Sequence, residues 1–161
     1  FVKGCLSQGA TEVDEAAEER TLAKAADSAP TEATAIRRKL LDTPRDVKLL
    51  NDLAQTYIRA QDYSLARVIQ SRALEVSPNN ASVEAQLGYT LIFMNDLETA
   101  QASFKQALKH NPKDPTALWG LAALYKQFGY QAKFASTLAR AKGSGRPVGQ
   151  LPPQVAQILT R

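Results

Sequence analysis

From residue 47 onward, apolar positions recur every three and four residues, as in Leu53, Ala54 and Tyr57. That spacing is one face of a helix, whereas a strand would alternate every second residue. The pattern breaks near Gln61–Asp62, Asn95–Asp96 and Gly129–Tyr130, where turn-forming residues gather. It breaks again at Pro44, Pro78 and Pro112, each 34 residues from the next, with Pro147 one residue past the following position. A helix pair every 34 residues is therefore expected.

Blocks set at 47–80, 81–114 and 115–148 align further columns. The seventh position is Leu53, Leu87 and Leu121, and the eighth is small: Ala54, Gly88 and Ala122. The eleventh holds Tyr57, Leu91 and Tyr125; the twentieth, Ala66, Ala100 and Phe134; the twenty-seventh, Ala73, Ala107 and Ala141. Small residues let two helices approach, large ones fill the space beside them, and proline ends the second helix. A chance proline period in an ordinary helical bundle would not bring five further columns into line.

This pattern resembles the tetratricopeptide-repeat (TPR) family, and the likeness covers residues 47–148. It implies an all-α, right-handed superhelix of about three repeats with capping helices, preceded by a flexible tail. The third repeat departs from the family at Phe134, where a small residue is usual, which predicts an altered angle for its second helix. Thr31 to Leu41 reads as an amphipathic helix of a degenerate preceding repeat (residues 31–46), burying Ala35, Ile36, Leu40 and Leu41. At the other end (residues 149–161), Pro152-Pro153 opens a short helix through Leu159, with Val155, Ile158 and Leu159 covering the last repeat.

In that family the first helix of each repeat lines a concave groove. The resemblance places Asn51, Gln55 and Arg59, then Gln86, Tyr89 and Phe93, then Trp119 and Lys126 along it, with Ile58 and Ile92 beside them. Family members that grip acidic C-termini use a clamp of Lys, Asn and Arg. Here Asn51, Gln55, Gln86, Thr116 and Gly120 stand at those positions, so that role is not expected. The aromatic strip instead suits an amphipathic helix or extended apolar segment of another protein.

Charge divides the chain unevenly. Residues 1–30 carry three basic and six acidic side chains, a net of −3, while residues 31–161 carry seventeen basic and ten acidic, a net of +7. The basic residues are scattered, without a dense run or an RNA-binding signature, so nucleic acid is not an expected partner. Hydrophobic residues make up 44% and mean hydropathy is −0.30, as in soluble proteins, and no apolar run reaches the ~20 residues of a membrane span. One Cys and one His exclude an intrachain disulfide and a four-ligand Cys/His zinc site. His110 stands at a helix end, where a cation suits the helix dipole, and Gly143-Ser144-Gly145 lacks the lysine and helix of a phosphate loop. No enzyme and no cofactor are expected.

The first residues run Phe1-Val2-Lys3-Gly4-Cys5-Leu6 without an initiating methionine, so a processed or partial product is expected. An apolar residue three before Cys5 and Gly immediately before it resemble a bacterial lipobox, which makes Cys5 the lipidation candidate. Lys3 departs from that pattern. Residues 1–30 would then be a flexible, acidic tether, with a helix of limited apolar content over Val13 to Ala26. The layout resembles bacterial TPR lipoproteins of the pilotin and TadD types. That likeness implies the periplasmic face of the outer membrane, a role in pilus assembly or secretion, and a secretin or pilus component as partner. The rival expectation is a soluble cytoplasmic TPR adaptor or secretion chaperone.

Overall fold

The computed structural model describes residues 31–161, which form eight α-helices and one 3₁₀ turn. A lone helix, α1 (Thr31–Asp42), precedes three helix pairs. These are α2 (Val47–Arg59) with α3 (Tyr63–Val76), α4 (Ala81–Phe93) with α5 (Leu97–His110), and α6 (Pro115–Gln127) with α7 (Gln131–Lys142). A 3₁₀ turn, Val148–Gln150, leads into α8 (Pro153–Thr160). Each helix packs on its successor through α7, and α4 also packs on α6.

The turn inside each pair is built the same way. Gln61, Asn95 and Gly129 take the left-handed conformation, with φ of 61°, 61° and 76°. The next amide reaches back five residues, from Asp62 to Tyr57, Asp96 to Leu91 and Tyr130 to Tyr125, each at 2.9 Å. This closure satisfies carbonyls that the helix end would leave bare. The following residue then caps the second helix: Asp62 accepts from the Leu65 amide and Asp96 from that of Thr99. Tyr130, at the equivalent place in the third pair, makes no side-chain cap.

Between pairs, Ser77 and Asn111 end α3 and α5 one residue before proline. Asn80 and Asp114 then cap α4 and α6 through the amides of Val83 (3.2 Å) and Ala117 (2.9 Å). Asp46 does the same for α2. Proline stops one helix and a carboxylate or amide starts the next, so the superhelical step is set by local chemistry.

The interior divides into two clusters. Leu50, Leu53, Tyr57, Leu65 and Ile69 dominate the first. The second surrounds Phe104, Trp119, Leu124 and Val155. Phe104 is fully buried between the glycines of two helices. A Cβ on Gly88 would lie 2.5 Å from its ring, and one on Gly120 would overlap it.

One expectation for packing needs correction. In α1 the buried residue is Ala33, with Ile36 and Leu40 half-buried against α2, whereas Ala35 is exposed and Leu41 is 81% exposed. A helix seated on one neighbour buries a single narrow stripe, and Leu41 lies off it. In α7, Phe134 is half-buried against the second cluster and only Thr137 and Ala141 are buried. The helix expected over Val13 to Ala26, and Cys5, lie outside the described residues.

Candidate functional site: the concave face

The first helix of each pair, α2, α4 and α6, supplies this face, and its three segments differ. Between α2 and α4 lies an open cavity of about 260 Å³. Gln55, Ile58 and Arg59 line it from α2, Tyr63 from the start of α3, and Gln86, Tyr89 and Phe93 from α4. Pro152, Pro153 and Gln154 close its far side. The chain's C-terminal segment therefore reaches across the face that α2 and α4 leave open.

The polar groups in this cavity are partly spoken for. Gln55 Nε2 donates to Gln86 Oε1 at 2.7 Å, tying α2 to α4. Arg59 donates to Glu32 of α1 at 2.8 Å and to the Thr56 hydroxyl at 3.2 Å. That ion pair is more than half exposed, so it contributes little to stability and can open for a ligand. Phe93 stacks at 5.2 Å on Tyr63 in a tilted pair, half-buried and facing the cavity.

Tyr89 is deeper. Its ring meets Phe104 edge-on at 5.5 Å, and its hydroxyl is buried without a protein partner. Burial pushes its phenol well above the usual tyrosine range, with the nearby Arg146 charge acting the other way. Asn51 stands half-buried on α2 with its side-chain oxygen likewise unpartnered.

On α6 the picture reverses. Trp119 is 1% exposed, and its indole N–H donates to the Arg146 carbonyl at 3.0 Å. Arg146 in turn donates to the Thr116 hydroxyl at 2.9 Å and to the Gln150 carbonyl at 3.1 Å. Lys126 donates to the Leu159 carbonyl at 2.8 Å and lies over the Phe134 ring. Val155 is fully buried, with Ile158 and Leu159 packed beside it. Trp119 and Lys126, expected to meet a partner, instead hold residues 146–159 of this chain.

The eight expected groove residues thus separate into sets. Gln55, Arg59, Gln86, Tyr89 and Phe93 converge on one cavity, Asn51 does not line it, and Trp119 and Lys126 belong to the covered third repeat. Ile92 is buried core. Tyr63 opens a second helix, outside the first-helix positions of the family's groove, and meets this face beside Phe93 of α4. His110, expected at a helix end, also brings its Nδ1 to 2.8 Å from Glu84 Oε2, joining the start of α4 to the end of α5. Among the described residues, no group of His, Cys, Asp and Glu is arranged to hold a metal ion.

Residues 58–124 match the family model described as tetratricopeptide repeat. The general transcriptional corepressor trfA of Dictyostelium discoideum is 33% identical over 92 residues, 56% of this chain and 7% of that protein. The general transcriptional corepressor ssn6 of Schizosaccharomyces pombe is 26% identical over 98 residues, 60% of this chain and 9% of its own. The solved structure MamA MSR-1 C2 superposes with a TM-score of 0.57 at 27% identity, over 70% of this chain and 64% of that one. The chain spans under a tenth of either corepressor and about two thirds of MamA. The all-helical architecture is the TPR superhelical fold.

Proposed function

We propose that this tetratricopeptide-repeat chain is a non-enzymatic module that binds another protein on the open half of its concave face, across α2 and α4. One observation carries the reading: the same face, at α6, already holds a proline-opened amphipathic segment of the chain itself. Lys126 grips that segment through the Leu159 carbonyl, Trp119 holds the stretch leading into it through the Arg146 carbonyl, and Val155 supplies the buried apolar anchor. Backbone carbonyls are present in any peptide, so this mode of capture is not tied to one sequence. Beside it, Gln55, Arg59 and Gln86 offer donors, and Ile58, Tyr89 and Phe93 offer apolar surface. The occupant that fits is an amphipathic helix or an extended apolar segment.

Within that function, we assign the chain to the outer-membrane lipoproteins that assist pilus assembly or secretion, with Cys5 lipidated and a secretin or pilus component as partner. Val2-Lys3-Gly4-Cys5 and the acidic stretch ahead of the array support this assignment. A cytoplasmic adaptor or secretion chaperone without lipid is the alternative, and the mass of the N-terminal peptide separates the two.

The test is affinity capture from detergent-solubilised envelopes, comparing wild type with Arg59→Ala/Phe93→Ala at unchanged helicity. Both residues face the cavity and neither is fully buried. Loss of a secretin or pilus component by about tenfold, or about 1.4 kcal/mol, is the expected result. Capture that ignores the substitutions overturns the groove. A substitution-sensitive partner from outside the envelope overturns only the lipoprotein assignment.

A further inference from the structure

A second, larger cavity of about 1030 Å³ opens between α1 and α3 and shares no lining residue with the cavity between α2 and α4. Helical spacing builds its walls. On α1, Thr34, Arg37, Arg38 and Leu41 fall on one face, each three or four residues from the next or adjacent to it. Ser64, Arg67, Val68, Ser71 and Arg72 keep the same rhythm on α3. Both helices pack on α2, whose Leu50 and Leu53, with Ile69 of α3, form a buried apolar floor between them. Leu41 and Val68 stand on the walls at 81% and 41% exposed, two of the three large hydrophobic residues so exposed among the described residues. Apolar surface gathered in one trough, rather than scattered singly, marks a contact site. The trough is also charged. Its four arginines face Glu75 alone, a net of +3. Among the described residues the ion pairs are Arg59 with Glu32 and His110 with Glu84, so none of these four guanidinium groups is paired with a carboxylate.

We propose that this trough docks an amphipathic helix of another protein, one that carries carboxylates along both edges of its apolar face. The apolar face enters over Leu50, Leu53 and Ile69 and covers Leu41 and Val68, which the fold itself leaves bare. The carboxylates meet the arginines on the two walls, where the fork of a guanidinium accepts a carboxylate in two parallel bonds. The distribution of charge favours a helix over an anionic lipid. Arg67 and Arg72 are about 7.5 Å apart along α3, and Arg37 and Arg38 stand on the other wall. Carboxylates recurring about every 5.4 Å along a helix supply charge at several points on both edges, whereas one headgroup supplies it at a single point. A second copy of this chain is the wrong sign, since residues 31–161 carry a net of +7. The site is independent of the concave face, so the array has room for two protein partners at once.

The test is fluorescence anisotropy of the full chain with a labelled helical peptide of about 18 residues, leucine along one face and glutamate on both of its edges. The expected result is binding that weakens as salt rises. Arg67→Glu/Arg72→Glu, both exposed on α3, should weaken it by about tenfold at unchanged helicity. A peptide with lysine in place of glutamate should bind that variant better than it binds wild type. Leu41→Ser/Val68→Ser should also weaken the glutamate peptide, which a purely ionic contact would not show. Equal binding of a peptide with the same composition in scrambled order overturns the inference, as does binding indifferent to the arginine reversal. Loss of the peptide in Arg59→Ala/Phe93→Ala places it on the concave face and overturns it too. If the peptide fails to bind while phosphatidylglycerol vesicles bind through the same arginines, the occupant is a membrane. If the chain instead self-associates through them, it is a second copy, and either result overturns the proposal.

Discussion

Phe104 and Gln70 hold the same register 34 residues apart, each fully buried in the second helix of its pair. Around Phe104 the flanking first-helix positions are Gly88 and Gly120, both without a side chain to spare room for the ring. The equivalent positions around Gln70 are Ala54 and Gln86. Neither polar atom of the Gln70 amide has a protein partner. One repeat therefore closes its centre with an aromatic wedge between two glycines, and the other with a buried, unpartnered amide. The contrast follows the two halves of the concave face. The wedge underlies the half of the concave face that the C-terminal segment covers, while the amide sits in the half bearing both open cavities.

The most severe way to break the comparison is Gly120→Ala. Its Cβ would overlap the Phe104 ring, and the ring has no free volume to enter. Overpacking of this kind costs about 3 kcal/mol, read as a lower midpoint in urea with an unchanged slope. Gly120→Ala/Phe104→Leu should recover part of that loss, because the smaller side chain yields the space. If Gly120→Ala alone unfolds no more easily than wild type, the wedge is not tight.

The opposite change belongs at Gln70. Replacing a buried, unpartnered amide by an apolar group of similar size removes a desolvation penalty, so Gln70→Leu should stabilise the array by about 1–2 kcal/mol. Gln70→Phe, which copies the second repeat, should not. Ala54 and Gln86 already occupy the room that Gly88 and Gly120 leave for a ring. A stabilising Gln70→Phe would show that the two centres are interchangeable.

A change of pH distinguishes the halves without mutation. Tyr89 packs on the wedge with its phenol buried and its pKa raised above the unfolded value of 10. The folded chain thus keeps this proton when the unfolded chain begins to lose it. The stability is fully present below pH 10 and declines as pH rises beyond it, by up to about 1.4 kcal/mol per pH unit. Tyr89→Phe should flatten that decline in urea titrations at pH 9 to 11. An equally steep decline in the variant would assign the effect elsewhere.

What could be read from the chain alone follows from this division. The 34-residue period located the six repeat helices, because each of their starts and stops rests on local residues: Pro78 and Pro112 after helices, left-handed Gln61, Asn95 and Gly129 within pairs. The resemblance to the tetratricopeptide-repeat family, rather than the period itself, pointed to Gln55, Arg59, Gln86, Tyr89 and Phe93, and these line one cavity. Trp119 could not be placed that way. Its burial depends on Arg146 and the turn that follows, 27 residues on, and periodicity carries no information about a chain that has left its repeat. Leu41 failed for the converse reason: an amphipathic stripe shows which residues are apolar, not whether a neighbour covers them. The glycine wedge did leave a trace, in Gly88 and Gly120 flanking an aromatic, but only the packing gives those glycines their reason.

The smallest effect sharpens the comparison at the caps. Asp62 and Asp96 each satisfy an amide at the start of the second helix, and Tyr130 leaves the third without that bond, half-exposed at 50%. Tyr130→Asp should add the missing acceptor and stabilise α7 by about 0.5–1 kcal/mol. The gain is tempered by the loss of Tyr130's contacts with Phe128, at 5.9 Å between ring centres, and with the Lys133 ammonium at 5.3 Å. Asp62→Ala should lose about 1 kcal/mol from the first pair. Hydrogen exchange of α7 against α3 reads both changes. If Tyr130→Asp instead loosens α7, the aromatic contacts outweigh a cap, and the third pair has exchanged a polar helix start for an apolar one.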